Sequence, residues 1–329
     1  MRFSKKPDSG LADARLAYNS VAMKLAFRQN DARWSDLPLA KMRKKKTPVE
    51  VDEFSYASPE DPRFKRMVIQ LIERITGQPE LKRMYLEHQN NPRPGESFWE
   101  ASIRTLGVQI NLNEDAISEI PATGPVIIVA NHPFGVLDGL MICWLIARVR
   151  KDFKVLTNAL LNRAEEIKPF LLPIDFEETK AALETNIKTR AEAKSLLEKG
   201  GALVIFPGGT VSTTPTLLAR HARDPEWKTF TARMIVQGKA PVVPVFFDGQ
   251  NSRLFQIASH VSMTLRLSLL FKEVHDRIGN ELTIRIGKRI PYETLKAIGD
   301  RKELMSFLRD QTYALSDGLP RKSKRQRRR

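Results

Sequence analysis

Cysteine is almost missing: the chain has one, Cys143, in 329 residues. No internal disulfide can form, and a thiol inside an apolar helical run points to a reducing compartment. Long apolar runs are missing too, since none approaches the ~20 residues that span a bilayer. The longest, Leu140 to Val149 and Val261 to Phe271, are too short, and the second carries Arg266. Met1-Arg2-Phe3-Ser4-Lys5-Lys6 is polar and lacks an apolar core behind it, so no secretory signal is expected. There is no Gly-x-Ser-x-Gly elbow, no Gly-rich phosphate loop ending in Lys-Ser/Thr, no Gly-x-Gly-x-x-Gly, and no His/Cys/Asp cluster at metal-ligand spacing. These absences set aside elbow-type serine hydrolases, nucleoside triphosphatases, dinucleotide enzymes and resident metal sites. His88, His221, His260 and His275 have no partner at a telling spacing and are expected to be surface or structural residues.

What is present is a globular composition, 42% apolar, with a net charge of +16. Lys41, Arg43, Lys44, Lys45 and Lys46 give five positive charges, and Arg321 to Arg329 give seven more, so the body between them is only mildly basic. Runs of this kind favour anionic surfaces at roughly 1 kcal/mol per basic residue near an anionic membrane. The expected organisation is a flexible basic arm over residues 1–60, with a docking helix in Leu11 to Phe27, and a helical segment over 61–106 that packs on the core. The main domain follows over 107–316, and a disordered basic tail over 317–329.

Within 61–106, Met67, Ile69, Leu71, Ile72 and Ile75 form an apolar stripe ending at Gly77. Further helices are expected over Glu80 to His88 and Phe98 to Leu106. From Gly107 onward strands and helices alternate. Strand runs fall at Val108–Leu112, Pro125–Ala130, Lys154–Thr157, Leu171–Ile174, Ala202–Phe206, Val242–Phe247 and Leu282–Ile286, and the clearest helix, Glu177 to Lys199, is stopped by Gly200-Gly201. This order predicts an α/β fold, a mixed and largely parallel sheet flanked by helices. Ligands then gather at the carboxyl ends of the strands, where His132 and Gly208 both lie.

Three segments carry the chemistry. Asn131 to Gly139 sits on a strand-to-helix loop and sets His132 upstream of Asp138. A neutral imidazole can take a proton from a hydroxyl, and a carboxylate receiving its other N–H fixes the tautomer and stabilises the cation. Val204 to Ser212 is a buried strand emptying into a Gly208-Gly209 turn with the hydroxyls of Thr210 and Ser212. Its backbone donors can approach an oxyanion or a headgroup, although a plain strand-end turn has the same sequence. Ala240 to Phe247 is an apolar strand with Pro241 and Pro244, which points to an edge or a strand end able to line a groove.

Asn-His followed by Asp, Phe-Pro-x-Gly-Thr-x-Ser about 75 residues later, and Val-Pro-Val some 35 further on together resemble the lysophospholipid and glycerol-phosphate acyltransferase (PlsC-like) family over about residues 100 to 295. Asn131-His132-Pro133-Phe134-Gly135 with Asp138-Gly139, and Asn251-Ser252 with Leu254-Phe255, look like its hemolysin-like or lyso-ornithine-lipid acyltransferase branch. The resemblance implies a glycerol-phosphate acyltransferase-like fold, with His132 as general base and Asp138 orienting it. It also implies substrate contacts from Asn131, Phe134, Gly135, Gly208, Gly209, Thr210 and Ser212, and Val243-Pro244-Val245 beside the acyl-donor channel. The donor it implies is a thioester on acyl carrier protein or coenzyme A, with no cofactor or metal.

Two departures matter. Five residues separate His132 from Asp138 where the common family pattern has four, so Pro133 to Gly135 must loop before the helix begins. Gly208 and Val211 stand where the family carries Glu and Arg. Without that guanidinium, which suits an acceptor phosphate, a phosphorus-free acceptor such as lyso-ornithine lipid or a related lyso-aminolipid is favoured, with Arg220, Arg223 or Arg253 as substitutes if an anion is bound after all. The expectation is an O-acyltransferase at the inner face of the cytoplasmic membrane, peripheral and cytoplasmic. Its rivals are a 1-acylglycerol-3-phosphate acyltransferase and, from another class, a basic nucleic-acid-binding protein on an inactive scaffold. The basic runs lack interleaved aromatics, so no specific nucleic acid is expected.

Overall fold

Seven strands carry the apolar runs: β1 (Gln109–Leu112), β2 (Val126–Ala130), β3 (Phe153–Asn158), β4 (Leu171–Ile174), β5 (Ala202–Ile205), β6 (Val242–Asp248) and β7 (Glu281–Ile286). The computed structural model describes residues 62–75, 77–91, 93–158, 166–174 and 179–318; the basic arm with its Leu11 to Phe27 stretch, and the tail beyond 318, lie outside the described residues. The strands form one sheet in the order β1-β7-β6-β2-β5-β3-β4. Every pairing is parallel except β6 with β7.

β2 lies between β5 and β6, and all five of its residues are fully buried. A strand covered on both faces needs apolar side chains on both, hence Val-Ile-Ile-Val-Ala rather than an alternating pattern. Val126, Ile128 and Ala130 join a core with α3 (Phe98–Leu106) and α4 (Val136–Ala147). Ile127 and Val129 join a second core with α5 (Lys180–Glu198), α6 (Phe230–Gly238), α10 (Tyr292–Ile298) and α11 (Arg301–Ala314).

Ahead of the sheet, α1 (Arg63–Ile75) and α2 (Gln78–Asn90) flank Gly77, which adopts φ +92°, where a Cβ would stand 2.5 Å from the His275 ring. α3 opens on a capping box in which Ser97 and Glu100 exchange bonds, and it closes on Gly107. It delivers Trp99, 4% exposed, against Phe153 and Phe170, so the helical segment shares the core of the sheet. α5 begins on its Thr179 cap and stops at Gly200, whose N–H and that of Gly201 return to Leu197 and Leu196 carbonyls.

One expectation needs correction. Pro244 does not mark an edge: β6 is interior, paired to β2 on one side and β7 on the other. The sheet tolerates it because Val242 exchanges both backbone bonds with Ile290 while Pro244 O accepts from Gly287 N. Two steps along β6 are matched by three on the returning chain. This is a bulge, and the proline stands where the ladder is already interrupted.

α7 (Arg253–Val261), α8 (Met263–Ser268) and α9 (Leu270–His275) fill the crossover between β6 and β7. Among the described residues no helix is long and apolar enough to cross a membrane.

Candidate active site

β2 ends at Ala130 and α4 begins at Val136, so residues 131 to 135 form the loop that the His-Asp spacing requires. Gly135 adopts φ +77°, a conformation that favours glycine, and a Cβ there would crowd the Leu270 and Val211 side chains at 3.1 and 3.2 Å. Asp138 lies in the first turn of α4, where a carboxylate meets unbonded helix N–H groups. Its Oδ2 accepts from Phe134 N (2.8 Å) and Gly135 N (2.9 Å), and Nδ1 of His132 stands 3.0 Å from the same oxygen. That third approach is off the line of a good hydrogen bond, so Nδ1 makes a short contact there without an aligned bond.

Asp138 is fully buried, and burial pushes its carboxyl above the usual carboxylate range, against the pull of His132 and the two amides. The His132 side chain keeps 20% exposure, and its ring lies on Phe206, centroids 4.2 Å apart. One face of the imidazole is therefore fixed, and Nε2 is the nitrogen left for a substrate.

The second motif is sewn to the first through the backbone: Ser212 N donates to His132 O at 2.7 Å. In its turn Gly209 adopts φ +69° and gives its N–H to Phe206 O, leaving Gly208 and Thr210 N–H without a backbone bond among the described residues. Thr210 Oγ1 accepts from Arg266. Ser212 is buried, and its hydroxyl donates to Asp224. Asn131 is buried and fully engaged, its amide exchanging two bonds with the Phe247 backbone at 2.9 and 2.8 Å, so it ties β2 to β6. Phe134 packs under Gly249, with the Arg277 guanidinium 4.4 Å from its ring. Pro244 lies on the other sheet face from Val243 and Val245, against Gly287.

Sequence reasoning missed Asp224. It is 3% exposed, and its carboxylate accepts from His132 N, Ser212 Oγ and Trp227 Nε1. Its backbone is held in turn by α11: Tyr313 OH accepts from its N–H, and Arg309 donates to its carbonyl. Tyr313 is pushed up to about 12 by burial and by the Asp224 charge, so it stays a neutral phenol at any working pH. No local pattern marks Asp224, because each motif partner comes from a different segment. Of the remaining histidines, His275 meets Glu80 at 2.9 Å and His260 meets Thr214, both structural contacts. Cys143 is buried in α4, and burial raises its thiol far from reactivity.

A partly exposed histidine backed by a buried aspartate, at the strand ends of an α/β sheet and beside a glycine turn, has the parts of an enzyme that activates a hydroxyl. The chain belongs to the acyltransferase family, whose model matches residues 72–321, and it is an acyltransferase. Two curated relatives are similar over 76% of the chain. One is a lyso-glycine lipid O-acyltransferase of Phocaeicola vulgatus, 25% identical and covered over 88% of its length. The other carries the same name in Bacteroides thetaiotaomicron, 26% identical and covered over 90%. Among solved structures, 1-acyl-sn-glycerophosphate acyltransferase PlsC of Thermotoga maritima aligns at 15% identity and a TM-score of 0.45, over 78% of this chain and 98% of that one.

Proposed function

We propose that the protein moves a fatty acyl chain from an acyl carrier protein or coenzyme A thioester to the hydroxyl of a lyso-aminolipid. Lyso-ornithine lipid and lyso-glycine lipid are the leading acceptors. The observation that carries the chemistry is the His132–Asp138 contact at the end of β2. In the proposed step Nε2 of His132 takes the proton of the acceptor hydroxyl, and the oxygen forms a bond to the thioester carbon. The resulting oxyanion is met by Gly208 and Thr210 N–H. The C–S bond then breaks, and the thiolate takes the proton from the imidazolium. The relatives' names support an aminolipid acceptor, as does Val211 in place of the family arginine. Incubating the full-length protein with lyso-aminolipids and both thioesters should yield the diacylated lipid and one equivalent of thiol; release of free fatty acid alone would rule the reading out.

The reading extends to an anionic membrane as working surface. Nine of the twelve large apolar side chains exposed among the described residues lie in three neighbouring segments. Phe64, Met67 and Leu71 line α1 at helical spacing, and Leu254, Ile257 and Val261 line α7 in the same way. Met263 begins α8, which packs on both, and Arg253 links α7 to Leu217 and Ala219, beside Leu218. Arg63, Arg74, Arg220, Arg223 and Arg253 are exposed in these segments, whose one carboxylate, Glu73, is buried. Segments that expose apolar side chains and arginines, and no acids, suit an anionic bilayer. In vesicle flotation the chain should favour phosphatidylglycerol over phosphatidylcholine, and Leu218→Asp with Ile257→Asp should weaken binding about tenfold or more. Binding equal to wild type would reject this face.

A further inference from the structure

We propose that Arg266 is the residue that holds the anionic headgroup of the acceptor, a carboxylate in the aminolipid reading on which this inference rests. Its position in the fold makes the case. Arg266 interrupts an otherwise apolar run, yet it is only 8% exposed. From α8 its NH2 group donates to Thr210 Oγ1 and to Val211 O, both at 2.6 Å. The guanidinium therefore reaches the turn where the family's arginine is replaced by Val211. The three arginines expected to substitute are elsewhere: Arg223 lies 5.2 Å from the Tyr313 ring, Arg253 binds the carbonyls of Leu217 and Ala219, and Arg220 is exposed.

The same helical stretch fixes how near Arg266 is to the reacting groups. Leu270, one turn further along, has its side chain against Gly135, three residues from His132. Val211 touches Gly135 from the other motif, and Ser212 N is bonded to His132 O. Arg266 and His132 therefore hold the same short stretch of chain: the guanidinium bonds the Val211 carbonyl, and the next N–H, that of Ser212, bonds the His132 carbonyl.

Among the described residues no carboxylate pairs with Arg266; its partners are a hydroxyl, a carbonyl and the face of Phe255. A buried cation without a counter-ion is held at a desolvation penalty that an anionic ligand relieves. Burial lowers its pKa accordingly. With NH2 committed to the turn, the fork that grips a phosphate bidentately is already half used. What remains are one N–H at Nε and two at NH1, which can donate to the oxygens of a carboxylate. An amino acid acylated on its nitrogen keeps that carboxylate, a few bonds from a hydroxyl on its acyl chain.

The test uses the full-length protein and three acceptors: an N-(hydroxyacyl) amino acid as free acid, the same compound as methyl ester, and lysophosphatidic acid. Wild type should favour the acid over the ester by about 10- to 100-fold in acceptor KM, the range for a hydrogen bond to a charged group. Arg266→Met should erase that preference by raising KM for the acid, with KM for the thioester donor unmoved. Arg266→Lys, which keeps the charge, should restore part of it and covers the case in which the methionine variant does not fold. A preference that survives in folded Arg266→Met, or a loss equal for acid and ester that lysine does not repair, overturns the assignment. Wild type that acylates lysophosphatidic acid and neither aminolipid overturns the acceptor reading instead, a result visible before any variant is made.

Discussion

His132→Ala should reduce kcat/KM by about 10²- to 10⁴-fold, the usual contribution of a positioned general base. It should leave the protein folded. The structural bonds of His132 are made by its backbone, N–H to Asp224 and carbonyl from Ser212, and alanine keeps both. What the substitution removes is the imidazole with its contacts to Asp138 and to Phe206, the latter worth roughly 0.5 to 1.5 kcal/mol for an aromatic pair. Thiol release from the thioester, followed beside a thermal melt, separates the two effects. Near-normal turnover in a folded variant would remove His132 from the mechanism.

Asp138→Asn should fall almost as far in rate, and it should remove a pH dependence of stability that runs in the opposite sense from that of a surface carboxylate. The asparagine oxygen can still accept from Phe134 and Gly135 N–H, so the loop keeps its shape. It can no longer stabilise the imidazolium, and the histidine tautomer is no longer selected. Burial raises the carboxyl of Asp138 in the folded protein. As pH rises from an unfolded value near ~3.9 to that raised value, the unfolded chain has released a proton that the folded one still holds, so wild type loses stability across that window. The asparagine variant has no such proton. Its stability relative to wild type should therefore increase with pH over the window, whatever the constant offset between the two. Parallel denaturant titrations at several pH values measure the slope, and a slope of zero or opposite sign would show that Asp138 is not held above its ordinary range.

The sheet was legible because buried parallel strands need continuous apolar runs, and Val126 to Ala130 or Ala202 to Ile205 have few other uses. The helix ends were legible for a similar reason, since Gly77, Gly107 and Gly200 adopt positive φ where a helix must start or stop. What escaped sequence reading depends on partners far along the chain. Pro244 reads as an edge residue until the bulge at Gly287 is seen. Asn131 reads as a substrate contact, yet its amide is bonded to Phe247, 116 residues away. Asp224 is 92 residues from His132 and Arg266 is 56 from Thr210, and neither has a neighbour that announces its role.

Asp224 also determines which parts of this chain can be cut or tagged. Its carboxylate gathers both motif loops while Arg309 and Tyr313 clamp its backbone, so the final long helix is a brace for a histidine nearly two hundred positions earlier. A fragment ending before Tyr313 would keep all three motifs and every strand and still release that brace. Expression trials that trim the carboxyl end for solubility should stop beyond α11, and a saturation screen for activity would flag Arg309 and Tyr313 as though they were neighbours of the lipid.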